Sequence, residues 1–343
     1  MFKKSLIGSF VLLATGLATL PAEAHRWGCW IQADRNVKVR NTASRSAEAA
    51  AAINEWNGDT ILNISNVSTG AESLVYDGNY GNTGWGGLAT IESYSGCTIL
   101  RASAKLNLYY SWTSNAARGV FCQEVGHTFG LDHSNDGGCM GGGYWYDIGT
   151  FPAYTVVTHN INDIGTMYAN RSAAVKHDDH AHGEAPETIH AYWYNNPRTM
   201  AETEALASAV VIGTVTGVYE GDTIEVPHAE GVDRIPTQRI TFELRRTIKG
   251  DVEETFTLFQ NGNEEKRFSE DPTYEVGGRY LLFLTEREDG TYLVVSPEGR
   301  YQIKGRRLAP ASEDGFAADL TGADLADVLT DVTGIIQHRQ LEQ

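Results

Sequence analysis

Basic residues are scarce in this sequence. Only 27 Lys and Arg stand against 44 Asp and Glu, a formal net charge of −17 over 343 residues. That shortage excludes a nucleic-acid binder held by a broad basic face. Long apolar runs are missing after the N-terminus, so no later segment reads as a membrane-spanning helix. Cysteine is rare too: four residues, none beyond Cys139, so any disulfide framework is confined to the first half. What is present is ordinary for an ordered chain. Hydrophobic residues make up 41% and charged residues 21%, which argues against wholesale disorder. The length suggests two domains.

Residues 1–24 read as a secretory signal. Lys3 and Lys4 form the positive start, Leu6 to Leu20 the short apolar core, and Ala22-Glu23-Ala24 a small-x-small cleavage site. A membrane anchor fits less well, because the run is short for a span and no stop-transfer charges follow. Removal would leave His25 as the N-terminus. The expectation is a secreted or periplasmic protein, in which the even number of cysteines suits two bridges.

Composition changes near residues 170–185. The first part is rich in Gly, Trp, Tyr and Asn, whereas residues 184–343 hold 29 acidic and 15 basic side chains and so carry most of the negative charge. Lys176 to Glu184 is polar, without apolar periodicity, and reads as a tether. Its His177, His180 and His182 have no fixed ligand geometry. The expected organisation is a signal at 1–24, a first domain at 25–172, a His/Asp-rich linker at 173–190 and an acidic, β-rich domain at 191–343.

The first domain reads as α+β. Ser46 to Trp56 is Ala-rich and stops at Asn57-Gly58, which predicts a helix. Strands are expected at Thr60–Val67, Gly87–Glu92 and Thr98–Tyr110, the last with Thr98, Leu100, Ala102, Ala104, Leu106, Leu108 and Tyr110 on one face. Residues 81–87 read as a loop. A helix is expected over about Ser114–Phe129, ended by Gly130. The second domain reads as mostly β, with strands at Ala209–Tyr219, Gln238–Thr247, Thr255–Gln260, Arg279–Thr285 and Thr291–Val295. A final helix starts near a capping Thr321.

The chemistry is concentrated around residues 123–140. Gln123 and His127 are i and i+4 on one helix face, with Glu124 beside them. Gly130 can turn the chain through a left-handed conformation and bring His133 back towards His127. Two imidazoles, an amide and a carboxylate would then meet at one point. Neutral imidazoles suit zinc, and a carboxylate beside a metal-bound water can accept its proton.

This segment resembles the metzincin zinc-peptidase signature H-E-x-x-H-x-x-G-x-x-H, matching at Glu124, His127, Gly130 and His133 and departing at Gln123. Gly138-Cys139-Met140 resembles the Met-turn of that clan. His159 to Tyr168 resembles the last helix of such domains, and Tyr80–Ile91 with Leu106–Tyr110 their edge strand and its neighbour. Cys-Gln-Glu-x-Gly-His with a later Cys-Met is similar to a bacterial, matrixin-like branch that carries the same Gln. The resemblance covers about residues 25–170. It implies an α+β metzincin-like catalytic domain, a twisted mixed sheet with an active-site helix. It also implies one catalytic Zn2+ held by His127, His133 and Gln123, Glu124 as general base and Met140 beneath the metal. A structural Ca2+ has no residue to support it.

An amide oxygen is a poorer zinc donor than imidazole. Three alternatives therefore stand at Gln123: ligation through Oε1, a different third ligand such as Asp132 or His159, or a site that has decayed. A Cys122–Cys139 bridge would tie the helix to the Met-turn and leave Cys29 to pair with Cys97. A Cys122 thiolate ligand fits worse, because position 122 faces away from 123. A Cys29 switch fits worse than a disulfide. His25, as N-terminus, offers an amine and a ring that can chelate copper. Tyr144 and Tyr146 read as wall residues.

The second domain faintly resembles small β-barrels of oligonucleotide/oligosaccharide-binding or netrin-like shape, and its acidity speaks against nucleic acid. The expectation is therefore a secreted zinc metalloendopeptidase, with a protein or peptide substrate, no nucleic-acid partner and no membrane span after signal removal. The rival is a non-catalytic binding protein built on an impaired peptidase.

Overall fold

The computed structural model describes residues 25–134, 136–141, 154–169, 187–312 and 315–342. The expected signal at 1–24, residues 173–186 of the expected linker, Tyr144 and Tyr146 lie outside the described residues. The first part supplies β1 (Ile31–Gln32), β2 (Asn36–Asn41), α1 (Ser46–Asp59), β3 (Asn63–Asn66), β4 (Ser73–Gly78), β5 (Trp85–Ser95), β6 (Thr98–Asn107), α2 (Ser114–Thr128) and α3 (Thr158–Tyr168). After them come β7 (Glu187–Trp193), α4 (Met200–Leu206), β8 (Ala209–Glu220), β9 (Ile224–His228), β10 (Gly231–Ile235) and β11 (Thr237–Lys249). The chain closes with β12 (Thr255–Asn261), β13 (Lys266–Phe268), β14 (Arg279–Glu286), β15 (Tyr292–Val294), β16 (Arg300–Lys304), β17 (Arg307–Pro310), α5 (Gly315–Ala318) and α6 (Leu325–Glu342). The chain is thus α+β, as expected.

Helix α2 follows the sequence closely. The Thr113 hydroxyl accepts the Ala116 amide at 3.2 Å and caps its start. Its end is set by Gly130, at φ +90°. A Cβ there would lie 2.1 Å from the Trp30 carbonyl oxygen, so the turn requires glycine on two counts. Helix α1 runs past the expected stop at Asn57-Gly58 to Asp59. The Asn57 side chain is engaged instead by the Ile64 amide, at 2.6 Å, and does not end the helix.

The first sheet is mixed, ordered β13–β7–β5–β6–β4–β2–β3, with β1 on β6. Helices α1 and α2 pack on it over a core of Trp56, Val75, Ala104, Leu106, Val120, Phe121 and Phe129. The alternation expected over Thr98–Tyr110 breaks in two places. Leu100 is 49% exposed, whereas Lys105, on the opposite face, is buried. At Leu100 the β5–β6 register shifts and leaves the residue unopposed, while around Lys105 β6 is buried on both faces, so period two no longer separates core from solvent. The loop expected at 81–87 gives way to strand at Trp85, where β5 pairs with β7.

Strand β7 spans the expected limit at residues 190 and 191. It adds antiparallel to β5, and β13 then adds parallel to β7. A shared core forms there from Tyr80, Trp85 and Leu88 with Ile189, Val226, Ile235 and Phe268.

Beyond β7, strands β8, β11, β12, β15 and β14 close into a five-stranded barrel, as the barrel-like reading expected. Val211, Val215, Ile240, Phe242, Phe256, Leu258 and Leu282 pack together in its core. Helix α6 begins later than expected. Thr321 lies in the preceding turn, and it is the Asp324 carboxylate that accepts the Ala326 amide, at 3.0 Å. Among the described residues no helix is long and apolar enough to cross a membrane.

Candidate metal centre

Helix α2 brings Gln123, Glu124 and His127 to one end of the sheet, all of them buried. After the Gly130 turn the chain is pinned by Trp27, whose amide donates to the Gly130 carbonyl at 2.9 Å. His133 returns to lie 4.8 Å from His127, ring centre to ring centre. The i,i+4 geometry and the glycine turn thus converge as the spacing requires.

The third imidazole comes from β7. The His190 ring stacks on His127 at 4.6 Å and 9°, and lies 5.2 Å from His133. One ring nitrogen of each of the three falls within 4.8 Å of the others. A tetrahedral zinc holds its nitrogens about 3.4 Å apart, given Zn–N bonds of about 2.05 Å.

Hydrogen bonds orient these rings. His127 Nδ1 meets the Leu131 carbonyl at 2.8 Å, which places the ring proton on Nδ1 and the lone pair on Nε2. That Nε2 is buried, with no hydrogen-bond partner among the described residues. Burial first, then His190 and His133, push the His127 pKa well down, so the ring is the neutral form a metal binds. His190 Nδ1 is held by the Glu270 carboxylate at 2.5 Å, and the other Glu270 oxygen accepts the Ala191 amide at 3.2 Å. Carboxylate backing of this kind raises a ligand's basicity. Edge-on packing of Trp27, 4.4 Å from His190, closes one side.

The Gln123 amide meets His133 Nε2 at 2.8 Å. The Gln123 side chain is thus engaged by one ring of the cluster, and the three imidazoles group without it. The Glu124 side chain is 0% exposed. Burial raises its pKa well above normal and Glu270 adds to this, while the Tyr192 amide and Lys105 oppose it. The backbone of β5 lies directly over it: a Cβ on Gly87 would stand 2.5 Å from Glu124 Oε1.

Both expected disulfides form. Cys122 and Cys139 are bonded to each other, as are Cys29 and Cys97, with Cα separations of 5.7 and 5.3 Å. Met140 is buried beneath α2, and a Cβ on Gly126 would meet its sulfur at 2.4 Å. Asp132, one alternative third ligand, reaches His190 Nε2 at 3.4 Å through Oδ1. His159, the other, is turned away and pairs with His25 and Asp163.

Sequence reasoning did not find His190 or Glu270, because neither stands at a short fixed spacing from α2. One available signal was the alternation Ile189-His190-Ala191-Tyr192-Trp193, which sets His190 and Tyr192 on one strand face. Neither a scan against protein-family models nor a search of curated proteins gives a match.

Proposed function

We propose that the chain is an extracytoplasmic, metzincin-like zinc endopeptidase whose metal is held by His127, His133 and His190. The observation that carries this reading is the convergence of three imidazoles beside a buried carboxylate, with the His127 lone pair otherwise unpartnered. The donor set suits zinc better than calcium or magnesium, which take oxygen ligands. A bound zinc ion would supply a water of lowered pKa and polarise a peptide carbonyl.

The chain's own residues have distinct parts in this scheme. Glu124 takes a proton from the attacking water and passes it to the leaving amine. Glu270 keeps the His190 ring in one tautomer. Gln123, against His133, fixes that ring from the helix side. Met140 and the Cys122–Cys139 bridge hold the turn under α2. The two bridges also favour an oxidising compartment.

A second reading, a non-catalytic binding protein, is favoured by one observation. Glu124 is fully buried with Gly87 of β5 directly over it, so its carboxylate has no open path to a peptide. The two readings part on hydrolysis. Zinc-loaded protein should cleave a quenched-peptide library, and Glu124→Ala should lower the rate by roughly 10²–10⁴-fold while keeping fold and zinc. Folded, zinc-bound wild type that cleaves nothing would leave only the binding protein.

A further inference from the structure

A second cluster of metal-type side chains is distinct from the first. His25, at the start of the described chain, faces His159 and Asp163 on α3. His25 Nδ1 stands 2.6 Å from His159 Nε2 and 3.7 Å from Asp163 Oδ2. His159 Nε2 is 3.0 Å from the same Asp163 oxygen. His159 and Asp163 are i and i+4, so both project from one face of the helix.

Proton bookkeeping leaves this trio short of positive charge. The other His159 nitrogen, Nδ1, faces the Asp136 carboxylate at 3.1 Å. With a proton on Nδ1 for that contact, a neutral His159 turns a lone pair towards Asp163 and His25. With the His25 proton on its Nε2, three acceptor atoms then meet within 3.7 Å, and with it on Nδ1 the Asp163 oxygen still faces the His159 lone pair. Asp163 is only 6% exposed, and its Oδ2 has no hydrogen bond of good geometry among the described residues. A single added proton serves one of these contacts; a cation serves all three. The Asp136 carboxylate stands behind His159 as an outer carboxylate does behind a metal-bound imidazole.

We propose that His25, His159 and Asp163 form a second metal site, separate from the His127 cluster, of the type that takes a divalent copper ion. Two imidazole nitrogens and one carboxylate oxygen suit Cu2+, which heads the affinity order of the first-row divalent ions. His25 also carries a main-chain nitrogen, which is an amide while Ala24 is attached. Cleavage after Ala24 would turn that amide into an amine, a further nitrogen donor on the residue whose ring already faces the site. The site would thus be complete only in the processed chain. His25 itself is half exposed, so an ion reaches it without opening the fold.

The test is Cu2+ titration, by calorimetry and electron paramagnetic resonance, of the protein beginning at His25. It is compared with the same protein retaining Ala24, and with His159→Ala, Asp163→Asn and His127→Ala. The expected result is a tetragonal copper signal with nitrogen hyperfine structure that persists in His127→Ala. It should weaken about tenfold or more in His159→Ala and Asp163→Asn, by analogy with altered metal surroundings, and in the chain retaining Ala24. Circular dichroism shows whether each variant is folded. Copper binding that His127→Ala abolishes, or that His159→Ala and Asp163→Asn leave unchanged, would overturn the proposal.

Discussion

At the scale of single residues, the site depends on a carboxylate from the distant part of the chain. Glu270 touches His190 Nδ1 and the Ala191 amide and no other part of the cluster is needed to explain its position. It is followed by Asp271, whose carboxylate takes Arg300 at 2.6 Å, and Arg300 stacks on Tyr274 at 3.5 Å. The barrel thereby positions a ring in the metal cluster. Glu270→Gln should therefore weaken zinc by about 10–100-fold in a chelator competition, with the melting curve nearly unchanged. At this scale the sequence is very uneven. Glu124, His127 and His133 were legible because a helix and a glycine turn impose fixed spacings. His190 and Glu270 were not, because their approach depends on strand pairing across the sheet, which no local pattern encodes.

At the scale of elements, the contact that matters is the seat of β5 on α2. A Cβ on Gly87 would stand 2.3 Å from Val120 Cγ1 and 2.5 Å from Glu124 Oε1. Gly87→Val should force strand and helix apart and lower stability by about 1–3 kcal/mol in denaturant titration. It should also reduce any peptide hydrolysis more than a surface substitution of equal cost. The Cys122–Cys139 bridge closes a short loop, with a sequence separation of 17. Replacing both with Ala should cost about 3 kcal/mol on the chain-entropy account, read as a lower denaturation midpoint. Helix α2 and the barrel strands β8, β11, β12 and β14 were foreseeable from capping, glycine and alternation. Strands β7, β9, β10 and β13 were not. Strands β9, β10 and β13 are short, and the apolar residues of all four are buried only because the first sheet offers them an edge or a face.

At the scale of the whole molecule, the two compositional halves are joined by a buried ion pair. Lys105 of β6 meets Asp233 of β10 at 3.1 Å, and the Tyr80 hydroxyl donates to the same carboxylate at 2.9 Å. Burial alone would raise the Asp233 pKa, but Lys105 and Tyr80 outweigh it and hold it below the usual range. A depressed carboxylate stabilises the fold at pH above its ordinary value of about 3.9 and loses that contribution as pH falls through the lower folded value. Asp233→Asn should cost about 3–5 kcal/mol at neutral pH, because Lys105 is left buried without its counter-charge. Its stability should fall less steeply below about pH 4 than that of the wild type. A double replacement with Lys105→Met should recover much of the loss. Composition marked where the acidity rises. It did not mark where hydrogen bonds cross, since Asp233 and Glu270 belong by charge to one half and by contact to the other.

The central claim is that three imidazoles, one of them from β7, hold the metal. Zinc content and affinity of His190→Ala, Gln123→Ala and His127→Ala, each verified as folded, test it directly. The account predicts that His190→Ala loses zinc about as fully as His127→Ala, while Gln123→Ala retains it. Zinc kept by His190→Ala but lost by Gln123→Ala would contradict the account and return the third place to the glutamine of α2.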